Sequence, residues 1–229
     1  LLVRDDVDAV VCTTATTLHH DVLIKVARAG KHIFTEKALA PTVKECEEIA
    51  AEIEKAGITF VISMPGRNSP VIRLAKKLID EGAFGKISLV RMRNGHDGVS
   101  GGGLPKYWFD ESMAGGGALM DLNIYNLHAI LGLFGKPLSA RYFANVERGI
   151  DTSGILTLQY GREHGTGFQA AAIAAKDCQA PVSSTIQGTR GCIRISVPMN
   201  QIESYELIDN QKNSTVFEFH KSDRSHVVL

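Results

Sequence analysis

The alternation of elements over the first 65 residues constrains this chain more than any other feature. Residues 7–13 (VDAVVCT) form a short apolar run, the signature of a strand covered on both faces. Residues 18–29 have helical spacing, with Leu23, Val26 and Ala27 apolar and Gly30 as the stop. Residues 32–35 read as strand. Thr42 and Glu45 form a capping-box pattern, so the next helix runs over 42–56 and closes at Gly57. Residues 58–63 are strand again. A β-α-β-α-β series predicts a parallel sheet with helices on its faces.

The remainder follows another plan. Pro70 opens a helix that stops at Gly82. A strand is expected over 87–93, then a loop over 95–106 carrying Gly101, Gly102 and Gly103. A second triplet, Gly115 to Gly117, precedes a helix over 119–134. After Pro137, strands are expected over 139–147, 155–160, 167–173, 182–187 and 192–197, with two more near the end. This predicts an antiparallel meander with one face covered. Two domains result, an α/β unit over 1–65 and an α+β unit over 66–229. The chain opens on the close of a helix and stops on an uncapped apolar segment, so both ends are expected to continue.

Composition narrows the function classes. Lys plus Arg and Asp plus Glu are 25 each, which gives no electrostatic grip on nucleic acid or anionic lipid. No apolar run approaches the roughly 18 residues of a membrane helix. Without a signal peptide the expected location is cytoplasmic. The four cysteines, Cys12, Cys46, Cys178 and Cys192, lack CxxC spacing and are expected to be reduced thiols. His19, His20 and Asp21 offer metal-ligand types, but no further spaced ligands accompany them, so no metal is expected.

In an open parallel sheet, ligands bind beyond the carboxyl ends of the strands. Three such ends are readable, at residues 12–15, 35–38 and 63–65. They bring Cys12, Thr13, Thr14, Glu36 and Lys37 to one crevice. On residue type alone, Glu36 and Lys37 fit an exposed ion pair capping a strand better than a binding site.

Two stretches resemble a known family. VDAVVCTTATTLHHDVLIKVARAGKHIFTEKALA resembles the second half of the nucleotide domain of the Gfo/Idh/MocA oxidoreductases, named for glucose-fructose oxidoreductase and inositol dehydrogenase. That family carries a strand ending in Thr-Pro, a histidine about five residues on, then Ala-Gly-Lys-His and Glu-Lys-Pro. GGGALMDLNIYNLHAILGLFG resembles its Gly-rich helix start with Asp and His. The resemblance implies the C-terminal half of a Rossmann-type dinucleotide domain, followed by an α+β domain with a large, mostly antiparallel open sheet. It implies hydride transfer between NAD or NADP and a sugar, polyol or inositol-like alcohol. Lys37 would reach the substrate hydroxyl, Glu36 would neighbour the nicotinamide ribose, and the Thr13–Thr17 segment with His19 would lie along the cofactor. Arg67 matches a frequent family arginine near the crevice. The family layout puts a phosphate-binding GxGxxG at the first strand–helix turn, within about 60 residues expected upstream of this chain. No such motif occurs in this chain.

Alcohol oxidation removes a hydride, which a cofactor takes, and a proton, which a side chain must take. Asp121 and Tyr125, at i and i+4, share a helix face. A nearby Lys37 ammonium is expected to lower the Tyr125 pKa and make it a proton shuttle, with Asp121 orienting the substrate or the lysine. A satisfied core tyrosine and a dipole-favoured aspartate explain the same residues. The sequence departs from the family at Ala38, where proline is usual, at Thr14, at Asn123, and at Tyr125, where histidine is usual. His128 is a possible substitute for that histidine. His96 and Trp108 flank the Gly101–Gly103 loop and are candidate pocket residues. Other readings are a non-catalytic dinucleotide-binding sensor and an NAD-assisted glycosidase. The second domain's sheet is expected to make a homo-oligomer through the face around residues 168–173.

Overall fold

The computed structural model describes residues 1–64, 69–98, 111–161, 167, 169–175, 184–195 and 204–218. The first unit has three strands, β1 (Ala9–Cys12), β2 (His32–Thr35) and β3 (Phe60–Ile62). They pair in parallel in the order β1-β2-β3. Two helices connect them, α1 (His19–Arg28) and α2 (Val43–Ala56). The expected capping box at Thr42 and Glu45 is formed on both sides, and Gly57 closes α2 in the left-handed conformation that lacks a Cβ penalty. Leu23, Val26 and Ala27 of α1 pack with Ile49 of α2, Ile33 of β2 and Cys12 of β1. Val10 points into this core, and by strand alternation Val11 faces the other way, 68% exposed.

The second unit is an eight-stranded sheet. Its strands are β4 (Ile87–Gly95), β5 (Ser139–Glu147), β6 (Ile150–Gln159), β7 (Gln169–Ala175), β8 (Ser184–Gly188), β9 (Gly191–Ile195), β10 (Ser204–Asp209) and β11 (Ser214–Glu218). The order is β11-β10-β9-β8-β4-β7-β6-β5. This corrects the expected meander. β7 and β8 do not form a hairpin, because β4 lies between them, parallel to β7 and antiparallel to β8. The apolar inner side of β4, Val90 and Met92 at 0% exposure, needs cover on both flanks, which a central place in the sheet supplies.

One face of this sheet carries the core. α3 (Pro70–Asp80) contributes Val71, Ile72 and Ala75, and α5 (Ile124–Phe134) contributes Ala129, Ile130, Leu133 and Phe134. Strand residues Leu156, Leu158, Ala170, Ala172, Ile186 and Ile193 meet them. Among the described residues, no helix covers the other face. Phe143 pairs with Ile155, which pairs with Ile173, and Phe143 and Ile155 are both exposed. The apolar face near Phe168 falls partly outside the described residues.

Among the described residues, no helix is long and apolar enough to cross a membrane, and Cys12, Cys46 and Cys192 are free thiols. No group of three or more His, Cys, Asp or Glu side chains there is placed to hold a metal ion. His20 instead bridges Asp21 and Glu48 at 3.0 and 2.7 Å.

Adjacent positions on α5 test this arrangement. Ile130→Ala is expected to cost about 2–5 kcal/mol of unfolding free energy, since Ile130 is fully buried. Leu131→Ala, at a 38% exposed site, is expected to cost less than about 1 kcal/mol, both read from denaturant unfolding.

Candidate active site

The two units meet at the carboxyl ends of β1 and β2. A 3-10 turn, Thr16–Leu18, follows β1 and packs against α4 (Glu111–Ala114) and the glycines after it. A Cβ on Gly115 would press on the Thr16 side chain at 3.1 Å. The second glycine triplet thus admits close approach of the first unit, as well as a ligand. A cleft along this seam is lined by Thr16, Lys37, Ala38, Ala114, Gly116, Met120 and Asp121.

Lys37 enters the cleft from the end of β2, and the Lys37–Ala38 peptide is cis. Its ammonium donates to the Asp121 carboxylate at 2.7 Å and to the Asp121 main-chain carbonyl at 2.9 Å. Both side chains are nearly buried, 13% and 12% exposed. The same nitrogen stands 5.1 Å from the centroid of the Tyr125 ring, within cation–π range. Sequence reasoning singled out these three residues, and the structure brings them together.

The Asp121 carbonyl is available because the helix opens with a π-turn, Leu119–Asn123, before α5. In a π-turn the backbone bonds reach the fifth residue, which turns carbonyls aside, and such turns recur at functional sites. The neighbouring Leu122 carbonyl accepts from the Asn94 side chain at 3.3 Å. Asn123, where the family usually has glycine, is fully buried and donates to the Ala172 carbonyl at 2.9 Å. Its side-chain oxygen accepts from Asn126 at 2.8 Å. These amides fasten the turn to β4 and β7.

The proton inventory corrects one expectation. Burial pushes the Tyr125 phenol up, and the carboxylates of Asp121 and Glu36 push the same way, outweighing the lowering by Lys37. Tyr125 is therefore a protonated donor rather than a phenolate. Burial alone would push Lys37 down, but the Asp121 carboxylate and Tyr125 reverse this, so its pKa lies above the ordinary lysine value.

His19 also differs from its expected place along a cofactor. It is fully buried, and both ring nitrogens face backbone carbonyls. Nδ1 lies 2.9 Å from the Ala38 oxygen and 3.2 Å from that of Leu39, and Nε2 lies 3.0 Å from that of Thr14. The imidazole thus ties the loop after β1 to the segment that carries Lys37. Cys12 is buried with its sulfur 3.3 Å from the Thr14 hydroxyl. Thr13 and Thr14 are exposed at the mouth of the seam, Thr17 and Glu36 half-buried. Thr16, which lines the cleft, lay in the expected cofactor segment without being singled out. His128 is half-buried on α5, and His96 follows β4 with Nδ1 accepting from the Gly98 N–H at 3.0 Å. Neither lines the cleft. Arg67, Trp108 and the Gly101–Gly103 loop lie outside the described residues.

These residues fit the nicotinamide end of a dinucleotide. Ala38, Ala114 and Gly116 keep the cleft wall free of bulk, Thr13 and Thr14 offer exposed hydroxyls, and Glu36 adds an acceptor next to Lys37.

Comparison with known proteins gives a consistent result. Residues 1–64 match the model described as an oxidoreductase family, NAD-binding Rossmann fold, and residues 72–194 match the GFO/IDH/MocA C-terminal domain. A levoglucosan dehydrogenase of Pseudarthrobacter phenanthrenivorans is 36% identical over 118 residues, covering 51% of this chain and 30% of that protein. A trans-1,2-dihydrobenzene-1,2-diol dehydrogenase of Xenopus tropicalis is 27% identical over 198 residues, covering 85% and 57%. The chain thus spans little more than half of such relatives at most. Among solved structures, an aldose-aldose oxidoreductase of Caulobacter crescentus complexed with glycerol superposes with a TM-score of 0.81 at 25% identity, covering 99% of this chain and 68% of that one. A levoglucosan dehydrogenase in complex with NADH and levoglucosan has the same fold, with a TM-score of 0.81, 22% identity, and 96% and 63% coverage. A matched family model over more than half its length, together with the Rossmann match before it, shows that this chain belongs to the GFO/IDH/MocA oxidoreductase family.

Proposed function

We propose that the protein containing this chain is an NAD- or NADP-dependent oxidoreductase acting on a sugar, polyol or related secondary alcohol. The observation that carries the reading is the Lys37 ammonium, fixed by Asp121 and lying against Tyr125 in a cleft at the ends of a parallel sheet. Relatives that dehydrogenate levoglucosan and D-xylose support a carbohydrate-like substrate. Thr13, Thr14, Thr16 and Glu36 would hold a nicotinamide cofactor, which would supply the hydride chemistry at the substrate carbon.

The chain's own residues manage the oxygen and the proton. Two of the hydrogens on Lys37 point at Asp121, so the ammonium has a set orientation. It donates toward the reacting oxygen and stabilises negative charge there, in a site shielded from water. The Tyr125 hydroxyl stands beside it as a second donor. In reduction the pair supplies the proton, and in oxidation it must accept one. Met120 gives the cleft an apolar wall that suits the C–H face of a sugar ring.

Oligomerisation belongs to the same reading. The sheet face opposite the helices, free of cover among the described residues, aligns Val216, Glu206, Arg194, Thr185, Arg91, Ala171, Thr157 and Arg141 in one row, with Phe143 and Ile155 exposed in the next. A second copy of the chain is the occupant proposed for it. The mixture of apolar residues and opposite charges suits a self-complementary contact. Free thiols at Cys12, Cys46 and Cys192 support a reducing, cytoplasmic location.

Three measurements test these statements on the complete protein. Lys37→Ala is expected to lower kcat/KM by about 10²–10⁴-fold with NAD(P)-dependent turnover of sugars as the readout. Unchanged dinucleotide binding and an unchanged ligand response without any wild-type turnover would instead favour a sensor. The raised pKa values of Lys37 and Tyr125 set the pH profile. Carbonyl reduction should stay level through neutral pH and fall only in the alkaline range, while alcohol oxidation should climb with pH. Asp121→Asn removes the carboxylate that raises Lys37, so both limbs should move to lower pH. Light scattering at micromolar concentration should report a dimer or larger, and Phe143→Lys should shift it towards monomer.

A further inference from the structure

Asp151 stands outside the cleft at the start of β6, and no sequence motif marks it. One of its carboxylate oxygens, Oδ2, accepts from the Leu119 main-chain N–H at 2.7 Å and from the Tyr142 hydroxyl at 2.5 Å. Leu119 is the first residue of the π-turn and lies two positions before Asp121. Ala118, at the cap position of that turn, has no side chain able to satisfy the exposed N–H groups. Asp151 supplies from a distant strand what an Asp or Ser at the cap would supply locally. Its charge also faces the positive end of the helix that continues through α5.

The surroundings are shaped to this contact. A Cβ on Gly117 would overlap the Asp151 carbonyl, its carboxylate and Ile150. A Cβ on Gly154 would overlap the Tyr142 hydroxyl. Two glycines therefore leave room for one carboxylate–phenol pair. The Asp121 N–H in turn donates to the Gly117 carbonyl at 3.0 Å, so the turn gripped by Asp151 runs directly into the residue that holds Lys37.

We propose that Asp151, braced by Tyr142, is a positioning residue for the Lys37–Asp121 pair: it fixes the start of the π-turn and so the place of the Asp121 carboxylate against the ammonium. This rests on the reading of Lys37 as the proton-handling group. Burial and Asp151 together hold the Tyr142 phenol well above its ordinary pKa, so its O–H remains a donor throughout the working range.

The test measures Lys37 directly in the complete protein. Acetic anhydride labelling of lysines is followed against pH by mass spectrometry, with Lys44 and Lys77 as exposed references. In Asp151→Ala, Lys37 should become reactive at lower pH than in the wild type, with the references unchanged. Asp151→Asn keeps one acceptor and should restore part of the wild-type profile. Misplacement of about 1 Å costs on the order of 10²-fold in rate, so kcat should fall by about that factor in Asp151→Ala with KM little changed. An unchanged Lys37 profile overturns the proposal, as does an equal change at all three lysines, which signals general loosening. Should Asp151→Ala not fold, Tyr142→Phe decides in the same way: an earlier Lys37 titration supports the proposal and a wild-type one overturns it. A wild-type protein without NAD(P)-dependent turnover refutes the enzymatic reading, whereas labelling still decides whether Asp151 positions the pair.

Discussion

Lys37 and Asp121 come from opposite units of the chain, 84 residues apart, and neither charge can stay in its place without the other. Each is nearly withdrawn from water. Removing one partner of a buried pair leaves an uncompensated charge and typically costs about 3–5 kcal/mol. The pair is therefore a bond across the seam between the two units. The polar contacts around it support one partner or the other. His19 ties down the segment carrying Lys37, and Asn94, Asn123 and Asp151 tie down the turn carrying Asp121.

Much of this support runs through backbone carbonyls. Ala38, Leu39, Thr14, Asp121 and Leu122 all offer oxygens to side-chain nitrogens near the seam. A regular helix or strand would use most of these oxygens in its own ladder. The loops after β1 and β2 and the π-turn release them, and polar side chains then occupy them. Buried polar groups of this kind are stable only when paired, and pairing fixes their geometry. Rigidity at the site follows from the irregularity of its backbone.

The parts legible in the sequence are those set locally. β2 and β5 have the bounds their residues predict, and the capping box and Gly57 close α2 as expected. Lys37, Asp121 and Tyr125 were legible because two motifs and an i, i+4 spacing mark them. The central place of β4 was not, since a strand's partners depend on distant registers that leave no trace in local pattern. Burial is equally silent: His19 looked like a ligand-facing residue and is enclosed, and Tyr125 looked like a base and is held protonated. Asp151 follows the Arg148–Gly149 turn of an ordinary hairpin, and only the fold brings it to Leu119.

The placement of β4 has a consequence for assembly. β5, β6 and β7 follow one another as antiparallel neighbours, and so do β8 to β11. Each group can form from contacts near in sequence. β4 precedes both and joins them, pairing with residues some 80 to 100 positions later. Closing loops of that length comes late and slowly compared with hairpins. The floor beneath the π-turn, where Asn123 meets β7 and Asn94 rises from β4, is complete only after that join. During synthesis, then, the seam between the two units is among the last parts of the molecule to exist.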